Sequence, residues 1–203
     1  IAGHVDMAFP NIGCLAGMTT SYLIAIGQGP VLSVLVGVFV GLAIGFIDGI
    51  AVAKFKLPDM VVTIGSGFIA YGLGYVYSEG ARIYKNFLTS GILLLNDAKY
   101  FGIPLPIILT AILYLFGYVI LHRSTYGRGF YATGEHKVSA IFSGIKVRNY
   151  IITAFTIGGG MAALATILIT AAQGTGIVKT GIPLLMPAYV AVFLGSAVFK
   201  KPT

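Results

Sequence analysis

Six long runs of apolar residues set the strictest limit on what this chain can fold into. They cover approximately residues 11–28, 30–53, 60–77, 103–121, 150–173 and 187–199. The first five approach the ~20 residues that an α-helix needs to cross a bilayer. The sixth is shorter and begins among prolines, so a tilted span, a broken helix and a re-entrant piece are all compatible with it. The predicted fold is an all-α, polytopic bundle of transmembrane helices.

The composition agrees with a membrane protein that forms one domain. Only 9% of the residues are charged and 57% are hydrophobic, with a mean hydropathy of +0.94. A soluble domain of 203 residues would carry far more charge. Without a linker or a repeat, we predict a single transmembrane domain over residues 1–203. Because the chain starts at Ile1 and stops at Thr203 beside an apolar run, we expect it to be a fragment of a longer polypeptide.

The net charge of +7 indicates the orientation of the chain in the membrane rather than binding to nucleic acid. If the polar passage after the fourth run is cytoplasmic, nine basic residues fall on that side and four on the other, which follows the positive-inside rule. The first set is Lys54, Lys56, Arg123, Arg128, Lys137, Lys146, Arg148, Lys200 and Lys201. The second set is Arg82, Lys85, Lys99 and Lys179. We therefore expect the lipid bilayer, and not nucleic acid, to be a partner.

A glycine stripe runs along the second apolar segment. Gly37, Gly41, Gly45 and Gly49 recur every four residues in "GVFVGLAIGFIDG". Small residues at this spacing share one helix face and let another helix approach closely. We predict that these glycines pack helices together.

Signatures of catalysis and metal binding are absent from the sequence. Its three histidines lie far apart, and no phosphate-binding P-loop or nucleophile elbow occurs. The single cysteine, Cys14, excludes an intrachain disulfide and argues against a thiolate metal site. We expect no catalytic residue, no metal and no cofactor in this chain. Any energy it uses would come from an ion gradient or from a partner.

Two carboxylates fall in or beside apolar runs. Burial of an acid inside a membrane costs free energy, so the first interpretation of such a residue is a functional one. Asp48 is therefore a candidate coupling residue for a carrier driven by an ion gradient. It lies close to Lys54 in the sequence, however, so reaching the interface or capping a neighbouring helix is the other interpretation. Asp6 precedes Pro10 and Asn11, where a cap on the first helix is favoured over a role in a proton relay.

The most polar passage of the chain is "GRGFYATGEHKVSAIFSGIKVRNY", residues 127–150. Within it, "HKVSAIFSGIKV" predicts a short helix with Val138, Ile141, Phe142 and Ile145 on one face. Ser143-Gly144 is a turn signal. Such a helix either lies on lipid headgroups or fills a groove on a cytosolic partner, and a solvated loop is the third interpretation.

Residues 126–147 resemble the cytoplasmic coupling segment of permeases from the ribose/galactose/xylose class of ABC importers. The stretches "GHVDMAFPNIGCLAGM" and "IDGIAVAKFKLPDMVVTIGSGFIAYGL" resemble that family in the same order, so the likeness covers most of the chain. Asp48 and His136 stand where the family usually has Asn.

The resemblance implies an importer permease in a bacterial cytoplasmic (inner) membrane. Its implied partners are an ATP-binding cassette subunit that holds ATP and Mg, a second permease subunit (identical or related), and an extracytoplasmic solute-binding protein. It places coupling to the ATPase in the segment at about 123–149, where Gly134 and Gly144 would permit turns and Glu135 would cap the helix. The implied coupling residues are Tyr131, Gly134, Glu135, His136, Ser139, Ser143 and Gly144.

Hydroxyl side chains are the candidates for the translocation pathway of an uncharged sugar. Thr and Ser also bond to the carbonyls of their own helix, which is the competing interpretation for each of them. The candidates are Thr19, Ser21, Thr63, Ser66 and Tyr71. The alternative function is a secondary carrier that uses Asp48.

Overall fold

The structure is a computed structural model that describes residues 3–100, 102–135 and 137–198. Helices form nearly all of its regular structure, which confirms the predicted all-α bundle. The α-helices are α1 Phe9–Ala25, α2 Pro30–Ala53, α3 Asp59–Ser78, α4 Phe87–Ser90, α5 Leu94–Asp97, α6 Leu105–Arg123, α7 Thr125–Glu135, α8 Lys137–Phe142, α9 Val147–Gln173 and α10 Leu185–Val198. A 3-10 turn, Ile182–Leu184, precedes α10, and β1 Lys99–Tyr100 pairs antiparallel with β2 Ile103–Pro104.

Four helices within the described ranges are long and apolar enough to cross a membrane, namely α2, α3, α6 and α9. They match four of the predicted runs, and α1 and α10 match the other two with shorter helices of 17 and 14 residues. At ~1.5 Å per residue, α10 extends about 21 Å. It is therefore shorter than the ~30 Å hydrocarbon core of a bilayer.

The core of the bundle is formed by α1, α2 and α9, and α3 packs on α1. The glycine stripe of α2 lies buried at this junction. A Cβ on Gly41 would lie 2.6 Å from the Cβ of Ala163, and one on Gly49 would lie 2.8 Å from the Cα of Ile152. Gly159 on α9 meets the carbonyl of Gly41 in the same way. The backbones of α2 and α9 are therefore in direct contact along several turns.

The segment between α3 and α6 is tied to the core rather than lying wholly on the outer surface. Phe87 in α4 and Ile92 are buried against Ile24 and Ala171. The side chain of Leu88, one residue on, is 88% exposed. This segment thus contains two short helices, α4 and α5, and has a buried side.

The polar passage differs from its prediction. It forms two helices, since the additional helix α7 precedes the short α8 that was predicted. Helix α8 ends at Phe142, before the turn at Gly144 (φ +77°). Gly134 lies inside α7 and forms no turn. Ile145 follows the turn and packs against the cluster of Val52, Ala140, Val147, Ile151 and Phe155, so it does not share the exposed face of α8.

Candidate functional site

The α7–α8 segment (residues 125–145) lies at the end of the bundle where α2 and α6 finish and α3 and α9 begin. We call this the basic end, since Lys54, Arg123, Lys137 and Arg148 surround it. Ala140 is buried in the cluster that joins α8 to α9. On α7, the rings of Phe130 and Tyr150 meet edge to face at 5.2 Å. One side of the segment is therefore packed on the bundle.

The other side of the segment is apolar and exposed. Val138, Ile141 and Phe142 are all exposed, and the side chain of Phe142 is 88% exposed. Lys137 and Ser139 flank them and are exposed as well. Among the described residues nothing covers this surface, which has the size and character of one face of a short helix. We call Val138, Ile141 and Phe142 the α8 apolar face.

The residues expected to couple are distributed over both sides of this segment. Tyr131 is half-buried with its ring 6.2 Å from that of His122, and Glu135 is the exposed last residue of α7. The Ser143 hydroxyl donates to the carbonyl of Ser139 at 2.9 Å. Gly144 has open space around it. His136 lies outside the described residues.

The chain preceding α1 reaches the basic end and contacts the α7–α8 segment. A Cβ on Gly3 would lie 3.2 Å from the carbonyl oxygen of Gly134. The ring of His4 lies between two charged groups: its Nδ1 is 3.1 Å from Oδ2 of Asp59, and its Nε2 is 3.0 Å from Nζ of Lys137. The backbone N–H of Val5 also donates to Asp59, at 2.9 Å. His4 thus bridges the start of α3 and the start of α8.

This bridge was missed in the sequence because its members are 55 and 133 residues apart. In the sequence, His4 is an isolated histidine without the spacing of a metal ligand. Within the part of the chain that the structure describes, no group of three or more His, Cys, Asp or Glu residues is placed to hold a metal ion. No local pattern would have revealed the pairing.

Asp48 lies inside the bundle, which corrects the expectation that it reaches the interface or caps a helix. Its side chain is 1% exposed. The hydroxyl of Ser66 on α3 donates to Oδ2 of Asp48 at 2.7 Å. Asp48 is on the α2 face that turns towards α3, so its carboxylate meets a neighbouring helix instead of solvent.

Asp6 lies in the segment that precedes α1, where its Oδ1 accepts the N–H of Ala8, the N-cap residue of that helix, at 2.8 Å. The Tyr189 hydroxyl on α10 donates to the carbonyl of Asp6, also at 2.8 Å. His4 and Asp6 line one wall of a cavity of about 460 Å³, and residues of α6 and α9 together with Phe130 of α7 line the rest.

Most of the hydroxyls expected to line a pathway bond to their own helix. Thr19 donates to the carbonyl of Leu15 at 2.8 Å, Ser21 to that of Gly17 at 2.7 Å, and Thr63 to that of Asp59 at 2.8 Å. Thr63 also accepts the N–H of Met7 at 3.1 Å. Ser66 bonds to Asp48, as described, and Tyr71 is half-buried on α3.

Thr19 is nonetheless beside open space. It lines a cavity of about 390 Å³ between α1, α2 and α3, together with Leu15, Phe39 and Tyr77. The walls of this cavity are otherwise apolar.

The chain is similar to known transport permeases along almost its whole length. Residues 1–200 match the family model described as branched-chain amino acid transport system, permease component. The chain is 32% identical to the D-allose transport system permease protein of Escherichia coli (strain K12) over 98% of this chain and 60% of that protein. No solved structure matches it.

Two further relatives are named for other solutes, ribose and autoinducer 2. The chain is 28% identical to the ribose import permease protein of Bacillus subtilis (strain 168), over 96% of this chain and 61% of that protein. It is 29% identical to an autoinducer 2 import system permease protein of Salmonella choleraesuis (strain SC-B67), over 95% and 55% respectively. The chain therefore spans about 60% of the length of the curated relatives it matches.

Proposed function

Because this chain belongs to the family of branched-chain amino acid transport system permease components, we propose that it forms the membrane pathway of an ATP-driven importer for a small sugar or sugar-like solute. It is a multi-pass membrane protein with apolar helices. The resemblance to monosaccharide ABC importer permeases is confirmed by the similarity to the D-allose and ribose permeases. The relatives do not support the alternative, an ion-gradient carrier that uses Asp48.

The α8 apolar face is the observation that carries the proposal. An ATPase that drives a separate membrane subunit needs a rigid contact through which its movement is transmitted. The α7–α8 segment offers one, since Ala140 and Phe130 fix it to the bundle while Val138, Ile141 and Phe142 remain exposed. A short amphipathic helix that lies in a partner's groove is a common mode of recognition.

The partner in that groove is an ATP-binding cassette subunit, which binds ATP and Mg and supplies the energy. A second permease subunit, identical or related, completes the pathway, and an extracytoplasmic solute-binding protein delivers the solute. The coupling residues remain those expected from the sequence, and Phe142 joins them because of its exposure. No catalytic group of this chain takes part in the chemistry.

The orientation follows from the same arrangement. With the basic end in the cytoplasm, the α7–α8 segment faces the ATPase and the positive-inside rule is satisfied. We place the chain in a bacterial cytoplasmic (inner) membrane.

The test is to purify the full-length protein from its native membrane in mild detergent and to identify the proteins that accompany it. We expect an ATP-binding subunit to co-purify and to be lost in Phe142→Asp. Leu88→Asp is the matched control, because Leu88 is also 88% exposed but lies far from the α7–α8 segment. A protein that purifies without an ATP-binding subunit, and whose uptake collapses with the ion gradient, would establish the secondary carrier instead.

A further inference from the structure

The hydrogen bonds of His4 fix the protonation of its ring. A lysine ammonium has three donors and no acceptor, so the contact of Lys137 with Nε2 requires a lone pair on that nitrogen. The proton of a neutral imidazole is then on Nδ1, where it faces the carboxylate of Asp59. Both contacts are satisfied at once only by the neutral ring.

Protonation of His4 would leave one contact and break the other. The imidazolium has an N–H at both positions, and Nδ1 would still donate to Asp59. Nε2–H would face the Lys137 ammonium at about the present 3.0 Å, with like charges and two donors opposed. The contact to α8 would be lost while the contact to α3 is kept.

The other groups around His4 do not change this outcome. From α3 it faces Asp59 and from α8 it faces Lys137, while α9 presents the ring of Phe155 at 6.1 Å. Asp6, on the same segment as His4, lines the same cavity wall. The single cation beside the ring in this part of the described structure is on the α7–α8 segment.

We propose that His4 is a positioning residue that ties the α7–α8 segment to the bundle, and that the tie holds only while its imidazole is neutral. Acidification of the basic end breaks this contact, so that only the packing of Ala140 and Phe130 then holds the segment, and the contact through which the ATPase would act becomes looser. This inference rests on the proposed function for its role in transport. The tie itself is a property of this chain alone.

The electrostatic environment gives the direction of the pH dependence. Burial and the nearby Lys137 charge lower the pKa of His4 from its ordinary value of 6.5, against an opposing effect of Asp59. With the tie broken, the pKa returns towards 6.5, so the released state binds more protons. The tie is therefore fully present above about pH 6.5 and is lost progressively as the pH falls below it.

The experiment measures a distance across the tie in the full-length protein. Spin labels are placed at Met60→Cys on α3 and Val138→Cys on α8, two exposed positions, in a Cys14→Ser background. We expect one narrow distance distribution at about pH 8 and a second, broader population that grows towards about pH 5.5, across the titration range of histidine. No partner subunit, nucleotide or solute is required, so the result is independent of the proposed function.

Three variants decide the assignment. Lys137→Met should give the broad distribution at both pH values, whereas Lys146→Met, which removes another exposed cation of the same region, should behave like the parent. His4→Gln should make the distribution independent of pH. A parent distribution that does not change with pH, a narrow distribution in Lys137→Met, or a pH response that survives in His4→Gln would each overturn the proposal.

Discussion

The hydroxyl of Ser66 on α3 donates a 2.7 Å hydrogen bond to the carboxylate of Asp48 on α2. The acid is buried between the two helices. In the proposed importer, we expect this carboxylate only to join α2 and α3, with no change of protonation during transport. An ion-gradient carrier that uses Asp48 would instead need it to gain and lose a proton. The two competing functions therefore differ in what they require of this position.

We expect Asp48→Asn to retain uptake within about twofold of the parent, because an amide oxygen can accept the Ser66 hydrogen bond as the carboxylate does. Uptake is measured in cells with radiolabelled monosaccharides that include D-allose and D-ribose. Asp97→Asn, at an exposed acid, is the control for the change of charge. Complete loss of uptake with normal expression of Asp48→Asn would favour the ion-gradient carrier.

Gly41→Ala should destabilise the bundle. The added methyl would lie 2.6 Å from the Ala163 side chain and against the backbone of Gly159, and overpacking of this kind costs about 1–3 kcal/mol. Gly65→Ala adds the same methyl on α3 where nothing lies within 4 Å, and should leave the stability unchanged or slightly raised. Thermal unfolding in detergent checks both, and equal midpoints would contradict the packing described here.

Gly144→Val should reduce the coupling of ATP hydrolysis to uptake without unfolding the bundle. Open space surrounds this residue, so the effect comes from its left-handed backbone (φ +77°), which costs a side chain with a Cβ about 1–2 kcal/mol. Gly144→Asn is the matched control, since Asn adopts this conformation more readily. The ratio of solute transported to ATP hydrolysed in proteoliposomes should fall for Val and change little for Asn.

Cys14 should resist a membrane-permeant maleimide in the folded protein. Its thiol is buried and accepts the N–H of Gly181 at 3.2 Å. We expect complete labelling only after denaturation, measured by mass spectrometry. An exposed cysteine introduced at Leu88 serves as the control for reagent access. Rapid labelling of native Cys14 would mean that α1 and the chain before α10 separate readily.

The positions of the spans and their closest packing could be predicted from the sequence. Apolar runs located α2, α3, α6 and α9, because a helix in a bilayer must be apolar over most of its length. The four-residue spacing of Gly37 to Gly49 located the buried face of α2. Both patterns lie within single segments of the chain, so they can be recognised without knowledge of the tertiary fold.

Helix α7 and the His4 bridge could not be predicted. Gly127 and Gly129 lower helix propensity, yet they let α7 approach the end of α6 and the ring of Tyr150. The His4 bridge depends on chain segments that only the tertiary fold brings together. The hydroxyl side chains were ambiguous for another reason. The sequence alone does not distinguish a Thr that bonds to its own helix backbone from one that faces a solute.

The glycine contact between α2 and α9 also restricts where a passage through the protein can open. At Gly41 and Gly159 the two helices meet through main-chain atoms, which have no rotamers and cannot swing aside for a passing molecule. Widening this seam would require whole helices to separate. For the proposed importer, we therefore expect the solute to cross elsewhere, along boundaries where side chains meet.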